Sequence, residues 1–558
     1  MAPRKITPYG RFLLLIAGLG GLLSGVDIGI VSSALLYMNK TVELTEQQTS
    51  FIVAAVLAGG MGSSLLCGIL ADRLGRKKLM VGSALFLASG LATVVASSGF
   101  AALFAGRLMQ GMSIGAIGVA APLFLAECLD PSNRGKGTAI FQFSLTFGIV
   151  AASLTGFFFI HRAEAAIAAA GGNEALIRAT QNMAWRGMFL SILCPALFFL
   201  LGTFFLGESP RWLFSRGRKE EARVALQRTC SAQEAELELQ EMAATTAISS
   251  LGHQASAGSL LRRKYVVPFV LTCVILGCNQ ATGISSILRF LALIFQEAGM
   301  SASLASWGDL AVKTLNCLMT LVAVALVDRK GRKFLLKLGT SGIVIALLLA
   351  AFAFGSFEAK RIDVRPQIQA RISDNRIHLP LSEAAFASRA SDQPTCLTVL
   401  YSYGKGDRLA TVPSNSSNPA LSIDPPEGNH GPLTIRRAQY GPIPSPVTGW
   451  LVALFIGAYV AMFSVGPGVC AWLALTELMP TRIRSTGMGV ALLINSCVST
   501  FIAAVFLHTV GTYGYSTMFL VLAGCTVIYF FTVTFFLPET KGKTLEEIEA
   551  YFEGRKLG

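Results

Sequence analysis

Twelve apolar stretches, most of them interrupted by few or no charges, decide which solvent this chain can fold in. They fall at 12–37, 50–70, 79–98, 100–127, 137–160 and 184–207, then at 265–298, 302–327, 335–356, 447–474, 486–508 and 515–537. Crossing the hydrocarbon core of a bilayer takes about 20 mostly apolar residues in a helix, because backbone amides find no water there. The sequence therefore predicts an all-α membrane protein of twelve transmembrane helices, in two bundles of six. Charged residues make up 14% of the chain, against roughly a quarter in soluble proteins. The formal net charge of +14 does not point to nucleic acid. Its basic residues come in short bursts between apolar stretches, as topology signals do.

Those bursts set an orientation. Arg73, Arg76, Lys77 and Lys78 lie in one connection. Arg134 and Lys136, Arg211 to Lys219, Arg262 to Lys264, Arg329 to Lys333, Arg482 and Arg484, and Lys541 and Lys543 follow in every second connection after it. By the positive-inside rule these connections and both termini are expected in the cytoplasm. The first stretch is too long for a cleaved signal segment and reads as the first span. The organisation expected is a bundle over 1–207, a cytoplasmic linker over 208–264, and a second bundle over 265–558. The second bundle carries an extracytoplasmic loop at 357–446 and a short cytoplasmic tail at 538–558. That loop is rich in Pro, Ser, Asn and Arg and reads as flexible or loosely folded. Asn39-Lys40-Thr41 and Asn415-Ser416-Ser417 fit the glycosylation acceptor pattern. Thr544, Glu546, Glu547 and Glu549 suggest a short amphipathic helix in the tail. Most of the eleven cysteines stand isolated inside apolar stretches (Cys67, Cys194, Cys273, Cys278, Cys317, Cys497, Cys525), as small core residues do. Neither a metal-ligand nor a disulfide framework is evident.

The two halves repeat one another. Asp72-Arg73-Leu74-Gly75-Arg76-Lys77 returns as Asp328-Arg329-Lys330-Gly331-Arg332-Lys333, roughly 256 residues later. Glu127 and Arg134 return as Glu477 and Arg484 at an offset of roughly 350, and Glu208 returns as Glu539 at roughly 331. One duplication followed by two loop insertions accounts for the three offsets.

With Gly25-Val26-Asp27, Gly106-Arg107, Glu208-Ser209-Pro210-Arg211-Trp212, Gly466-Pro467-Gly468…Trp472 and Pro538-Glu539-Thr540-Lys541-Gly542, these motifs resemble those of sugar porters of the major facilitator superfamily. The resemblance implies the two-bundle fold of that superfamily and alternating access to a central site. It implies a small solute, a sugar or sugar-like, moved across the plasma membrane by a monomeric, multi-pass protein. No nucleophile, metal cluster or phosphate-binding loop is evident, so neither an enzyme nor a cofactor is expected. The partners expected are the solute, protons and the lipid bilayer.

Three groups of residues follow. A gate on the cytoplasmic side is expected from Asp72, Arg73, Arg76, Glu127, Arg134, Glu208 and Arg211, and from Asp328, Arg329, Arg332, Glu477 and Arg484. Carboxylates and guanidiniums at helix ends can pair between bundles while that side is closed. The second group is Asp27 with Arg107. A charge at mid-membrane costs about 2.5–3.5 kcal/mol on insertion scales and is a functional candidate by default. In the resembling family an aspartate here accompanies proton coupling, and a permanent structural ion pair is the alternative. The third group would hold the solute: Gln142, Asn279, Gln280, Ser285, Arg289, Asn316, Trp472 and Asn495. Amides offer paired donors and acceptors to vicinal hydroxyls, and Trp472 an apolar face to the ring. Asn279 and Ser285 are shorter than their family counterparts, and Arg289-Phe290 stands where tyrosines are common. Arg289 could snorkel outward or meet an anionic solute, whereas Asp309 and Lys313, one turn apart, read as an internal ion pair. Proton symport of a sugar is thus favoured over a passive facilitator, a symporter of a sugar acid or organic acid, and a non-transporting sensor.

Overall fold

The computed structural model describes residues 7–42, 44–128, 131–252, 263–381, 394–404, 407–414, 419–425, 431–479, 484–540 and 551–552. Six spans come first: α1 Pro8–Thr41, α2 Glu46–Leu74, α3 Arg76–Ala96, α4 Phe100–Cys128, α5 Pro131–Ala169, and the pair α6 Glu174–Ser191 and α7 Leu193–Phe204. Three helices form the linker, two of them short: α8 Pro210–Ser215, α9 Lys219–Gln227 and the longer α10 Ala232–Gly252. They pack around Leu213, Ala222, Leu226 and Leu239. The second set is α11 Arg263–Ala281 with α12 Ile284–Glu297, then α13 Ala302–Lys330 and α14 Arg332–Glu358. After the insert, which includes the short helix α15 Arg365–Gln369, come α16 Pro446–Val465 with α17 Pro467–Leu478, α18 Arg484–Tyr513 and α19 Tyr515–Phe535. Among the described residues eleven segments are long and apolar enough to span. Glu46–Ser64 with Leu66–Leu74, bent by 50°, supplies a twelfth.

Local chemistry explains where the helices start and break. Thr7 caps α1, its hydroxyl accepting from Gly10 N–H, with Pro8 in the first turn. Thr45 and Gln48 form a reciprocal capping box on α2. Besides the bent α2, three spans are interrupted. Pro195 and Pro467 have no N–H to return to the preceding turn, and Gly283 sits at φ +84° between α11 and α12, where a Cβ would crowd the Leu522 side chain. Many large apolar side chains point outward, among them Phe352, Phe501, Phe535 and Leu454. In water that would be an aggregation surface; in lipid it is the expected exterior.

Helix α1 packs on α5, α2 on α4, α14 on α16 and α19, and α11 on α18. The two groups of six meet where α1 faces α12, α5 faces α13 and α2 faces α18. The start of α1, the end of α19 and the described part of the linker lie on one side of the spans, and the described part of 357–446 lies on the other. We call these the terminal side and the insert side.

The insert is folded, which corrects the expectation of a loose loop. Its strands are β1 Ile362–Asp363, β2 Ile377–Pro380, β3 Thr395–Ser402, β4 Asp407–Pro413, β5 Ala420–Ile423 and β6 Thr434–Pro442. They pair antiparallel as a four-stranded sheet ordered β1-β6-β3-β4 and a two-stranded sheet β2-β5. Ile368, Ile377, Leu397, Val399, Leu421, Ile435 and Ala438 fill its own core. The acceptor pattern at 415–417, the basic residues Arg262, Arg482, Lys541 and Lys543, and the tail residues 544–549 lie outside the described residues.

Candidate functional site

On the terminal side the repeated motifs build the same small structure twice. Gly75 and Gly331 join α2 to α3 and α13 to α14 with φ of +93° and +89°. A Cβ at either would collide with a carboxylate, that of Glu208 or of Glu539, so glycine is required on both counts. Glu208 accepts from Arg76 N–H at 2.9 Å and from Lys77 N–H at 3.2 Å. Glu539 accepts from Arg332 N–H at 3.1 Å and Lys333 N–H at 3.2 Å. Each glutamate satisfies the first, otherwise orphaned, amides of a helix and sits at the positive end of its dipole. Arg76 then reaches Glu127 at 2.8 Å and Asp72 at 3.1 Å, and Arg332 reaches Glu477 at 3.2 Å. Ser209 closes the first cluster by donating to Glu127, and Thr540 closes the second by donating to Glu477. The two hydroxyls lie within the matched motifs, yet reading those for charge alone passed over them.

These ion pairs join residues of the same bundle, whereas the sequence reading anticipated pairs between bundles. Arg73 and Asp72 offer their carbonyls to Arg216, and Arg211 and Arg329 are exposed. The side chains of Arg134, Arg484 and Asp328 lie outside the described residues.

At mid-membrane, Asp27 of α1 and Arg107 of α4 form a buried pair, Oδ1 to Nη1 at 2.6 Å, with side chains 5% and 1% exposed. The same Nη1 donates to Gln110 at 2.6 Å, and the guanidinium lies over the Phe189 ring, 5.4 Å from its centroid. A second buried pair, Asp309 and Lys313 of α13, stands at 2.7 Å with both side chains 0% exposed. It is no isolated ion pair: Lys313 also donates to Gly29 O at 3.0 Å and to Ser32 Oγ at 2.6 Å, and Ser32 donates to Asp309 at 2.8 Å. Helices α1 and α13 are thereby tied across the boundary between bundles. Leu507 N–H reaches Ser50 at 3.2 Å between α18 and α2, on the insert side. A main-chain oxygen and a serine carry no sequence signal, so this tie was not foreseen.

The residues assigned to the solute come from six elements, α5, α11, α12, α13, α17 and α18. Gln280 accepts from Ser285 at 2.7 Å, and Asn316 from Ser464 at 2.7 Å. Asn279 and Asn495 are buried with side-chain oxygens that take no hydrogen bond. Gln142 on α5 and Trp472 on α17 are exposed. Arg289 does not snorkel; it is 4% exposed and donates to its own helix at Ser285 O, 2.9 Å away. It lies within electrostatic reach of Asp27 and Arg107.

A family of sugar and other transporters matches residues 13–364 and 438–552. The chain is a sugar porter of the major facilitator superfamily. The matched region of this porter omits most of the folded insert. Over 96% of its length it is 27% identical to a probable metabolite transport protein of Bacillus subtilis, of which 93% is covered. It is 28% identical to the human proton myo-inositol cotransporter, over 97% of this chain and 81% of that protein. The xylose transporter of E. coli in an inward-open conformation superposes with a TM-score of 0.67 at 21% identity, covering 96% and 98% of the two chains. The chain is thus a multi-pass membrane transporter.

Proposed function

We propose that this porter moves a sugar or cyclitol across the plasma membrane together with a proton, by alternating access and as a monomer, with both termini in the cytoplasm. The buried Asp27–Arg107 pair carries the reading. While Arg107 holds the carboxylate, ionisation is favoured; once the guanidinium moves away, desolvation favours the protonated form. A carboxylate that alternates between these settings can bind a proton on one side and release it on the other. The central amides of Gln142, Asn279, Gln280, Asn316 and Asn495, with Ser285 and Trp472, would take the hydroxyls and one face of the solute. Hydrogen bonds across the bundle boundary at Ser32, Lys313 and Ser50 hold the insert side shut, while each terminal-side cluster is closed within its own half. In this posture the central site would open toward the cytoplasm.

Proteoliposome uptake of D-glucose, D-xylose and myo-inositol, with and without an inward proton gradient, tests this. Uphill uptake that a protonophore abolishes, and that Asp27→Asn loses, is expected. Uptake that merely equilibrates and ignores Asp27→Asn would make the protein a passive facilitator.

One observation favours a second reading. Asp27, Arg107, Arg289, Asp309 and Lys313 are all buried, which leaves one cation in excess in a medium where unpaired charge is expensive. A sugar acid would neutralise it at Arg289. Gluconate uptake, abolished by Arg289→Glu, is the expected result under that reading; transport of neutral sugars only would dismiss it.

A further inference from the structure

Between the insert and the bundles lies a cavity of about 790 Å³, inside the range of roughly 300–1,000 Å³ usual for small-molecule sites. Its floor is drawn from both halves of the porter: Asn39 and Lys40 of α1, Glu46 of α2, Gln296 and Glu297 of α12, and Leu507 of α18. Its roof is the face of the sheet turned away from the insert's own core. Strand alternation sends Leu397 and Val399 into that core and Cys396, Thr398 and Leu400 toward the bundles. Thr398 is the cross-strand neighbour of Thr411 on β4 and of Gln439 on β6, so the three make one polar row above the cavity. Arg437 fastens the roof to the floor through Gly511 O, at 2.9 Å.

The formal charges around the cavity cancel: Lys40, Arg361 and Arg437 against Glu46, Glu297 and Glu358. A lining with no net charge gives no general advantage to an ion. Amides and hydroxyls on roof and floor can instead meet vicinal hydroxyls as donor and acceptor together. Leu293, Leu400 and Val510 offer apolar wall to the carbon face of a ring. We propose that this cavity is a second solute site, a vestibule on the insert side that holds a neutral polyhydroxylated ring outside the central site, with the insert setting part of its selectivity. The proposal rests on the sugar or cyclitol reading above. Because both bundles supply the floor, the vestibule is enclosed only while they meet on this side. When they part it becomes the mouth of the central site.

The test uses the full chain with D-glucose, D-xylose and myo-inositol as probes. A reporter cysteine is placed in the roof by Thr411→Cys, and its alkylation by a small maleimide is followed on that peptide by mass spectrometry. Gln280→Ala and Asn316→Ala are combined with it to weaken the central site. Alkylation slowed about threefold or more by at least one probe at saturating concentration is expected, as occupancy requires. Thr398→Cys, the neighbouring position, serves as a second reporter should the first variant fail to fold. Absence of protection at both reporters by every probe overturns the vestibule. Wild-type uptake is scored separately: no uptake of any probe counts against the sugar reading, whatever the reporters do. Gln296→Ala in the otherwise native chain is expected to raise KM several-fold with Vmax kept. Unchanged KM with a fallen Vmax would mark a structural cover and also overturn the site.

Discussion

Lys313 has three ammonium protons on a fully buried side chain. Gly29 O, Ser32 Oγ and the Asp309 carboxylate take them. Removing only the carboxylate leaves a buried cation short of a partner, which typically destabilises by about 3–5 kcal/mol, whereas replacing both members of such a pair by apolar residues is often neutral. Asp309→Leu should therefore lower the melting temperature of the purified protein markedly, and Asp309→Leu combined with Lys313→Met should recover most of it. Equal losses in both variants would show that the pair is not what the site stabilises. Cys396 behaves differently, being in the insert and outside the spans. Burial pushes its thiol up to about 11, so the thiolate that reacts with alkylating agents is scarce at neutral pH. Its alkylation rate should climb about tenfold per pH unit from pH 7 and level off only near that value, which peptide-resolved mass spectrometry can follow.

At the scale of elements, the legible features were those with long periods or literal repetition. A span advertises itself through about 20 apolar residues because lipid tolerates little else. Glu208 and Glu539 could be paired because they stand in repeated motifs, but their capping of α3 and α14, and the place of Glu539 in the second cluster, came only from the structure. The insert escaped notice for a physical reason. Its described strands have two to nine residues, and the register shifts between Leu400 and Tyr401. An irregularity of that kind moves the apolar set from one face to the other and breaks the alternation a sequence reading relies on. The breaks inside 184–207, 265–298 and 447–474, each expected as one unbroken span, are a correction: Pro195 and Pro467 explain two of them, and the interruption at Gly283 depends on backbone conformation among many glycines that stay helical. Among the solute residues, Gln280 and Asn316 proved to hold local partners on Ser285 and Ser464, and only a three-dimensional arrangement could reveal the serines' part.

At the scale of the molecule, the duplication makes the two bundles near equivalents on the terminal side, where each has one glutamate-capped, arginine-bridged cluster. The insert side has no such equivalence. A folded domain sits over it, attached to the second bundle through the chain and approaching α2 of the first through β4. Moving the bundles apart there must strip the insert from one of them and open the cavity beneath it; among the described residues of the terminal side, the linker helices α8 to α10 rest against the first bundle through Trp212 and Arg216. The rocking motion is therefore loaded on one side only, like a seesaw with a weight fixed to a single seat. Every 1.4 kcal/mol of that load shifts the balance of the two states about tenfold. Replacing residues 365–437 with a short Gly-Ser linker, across the stretch the family match leaves out, should move the resting population toward the form open on the insert side. Distances between spin labels at the ends of α2 and α18 would register the shift, and an unmoved distribution would mean that the weight rides freely on one seat without pressing on the beam.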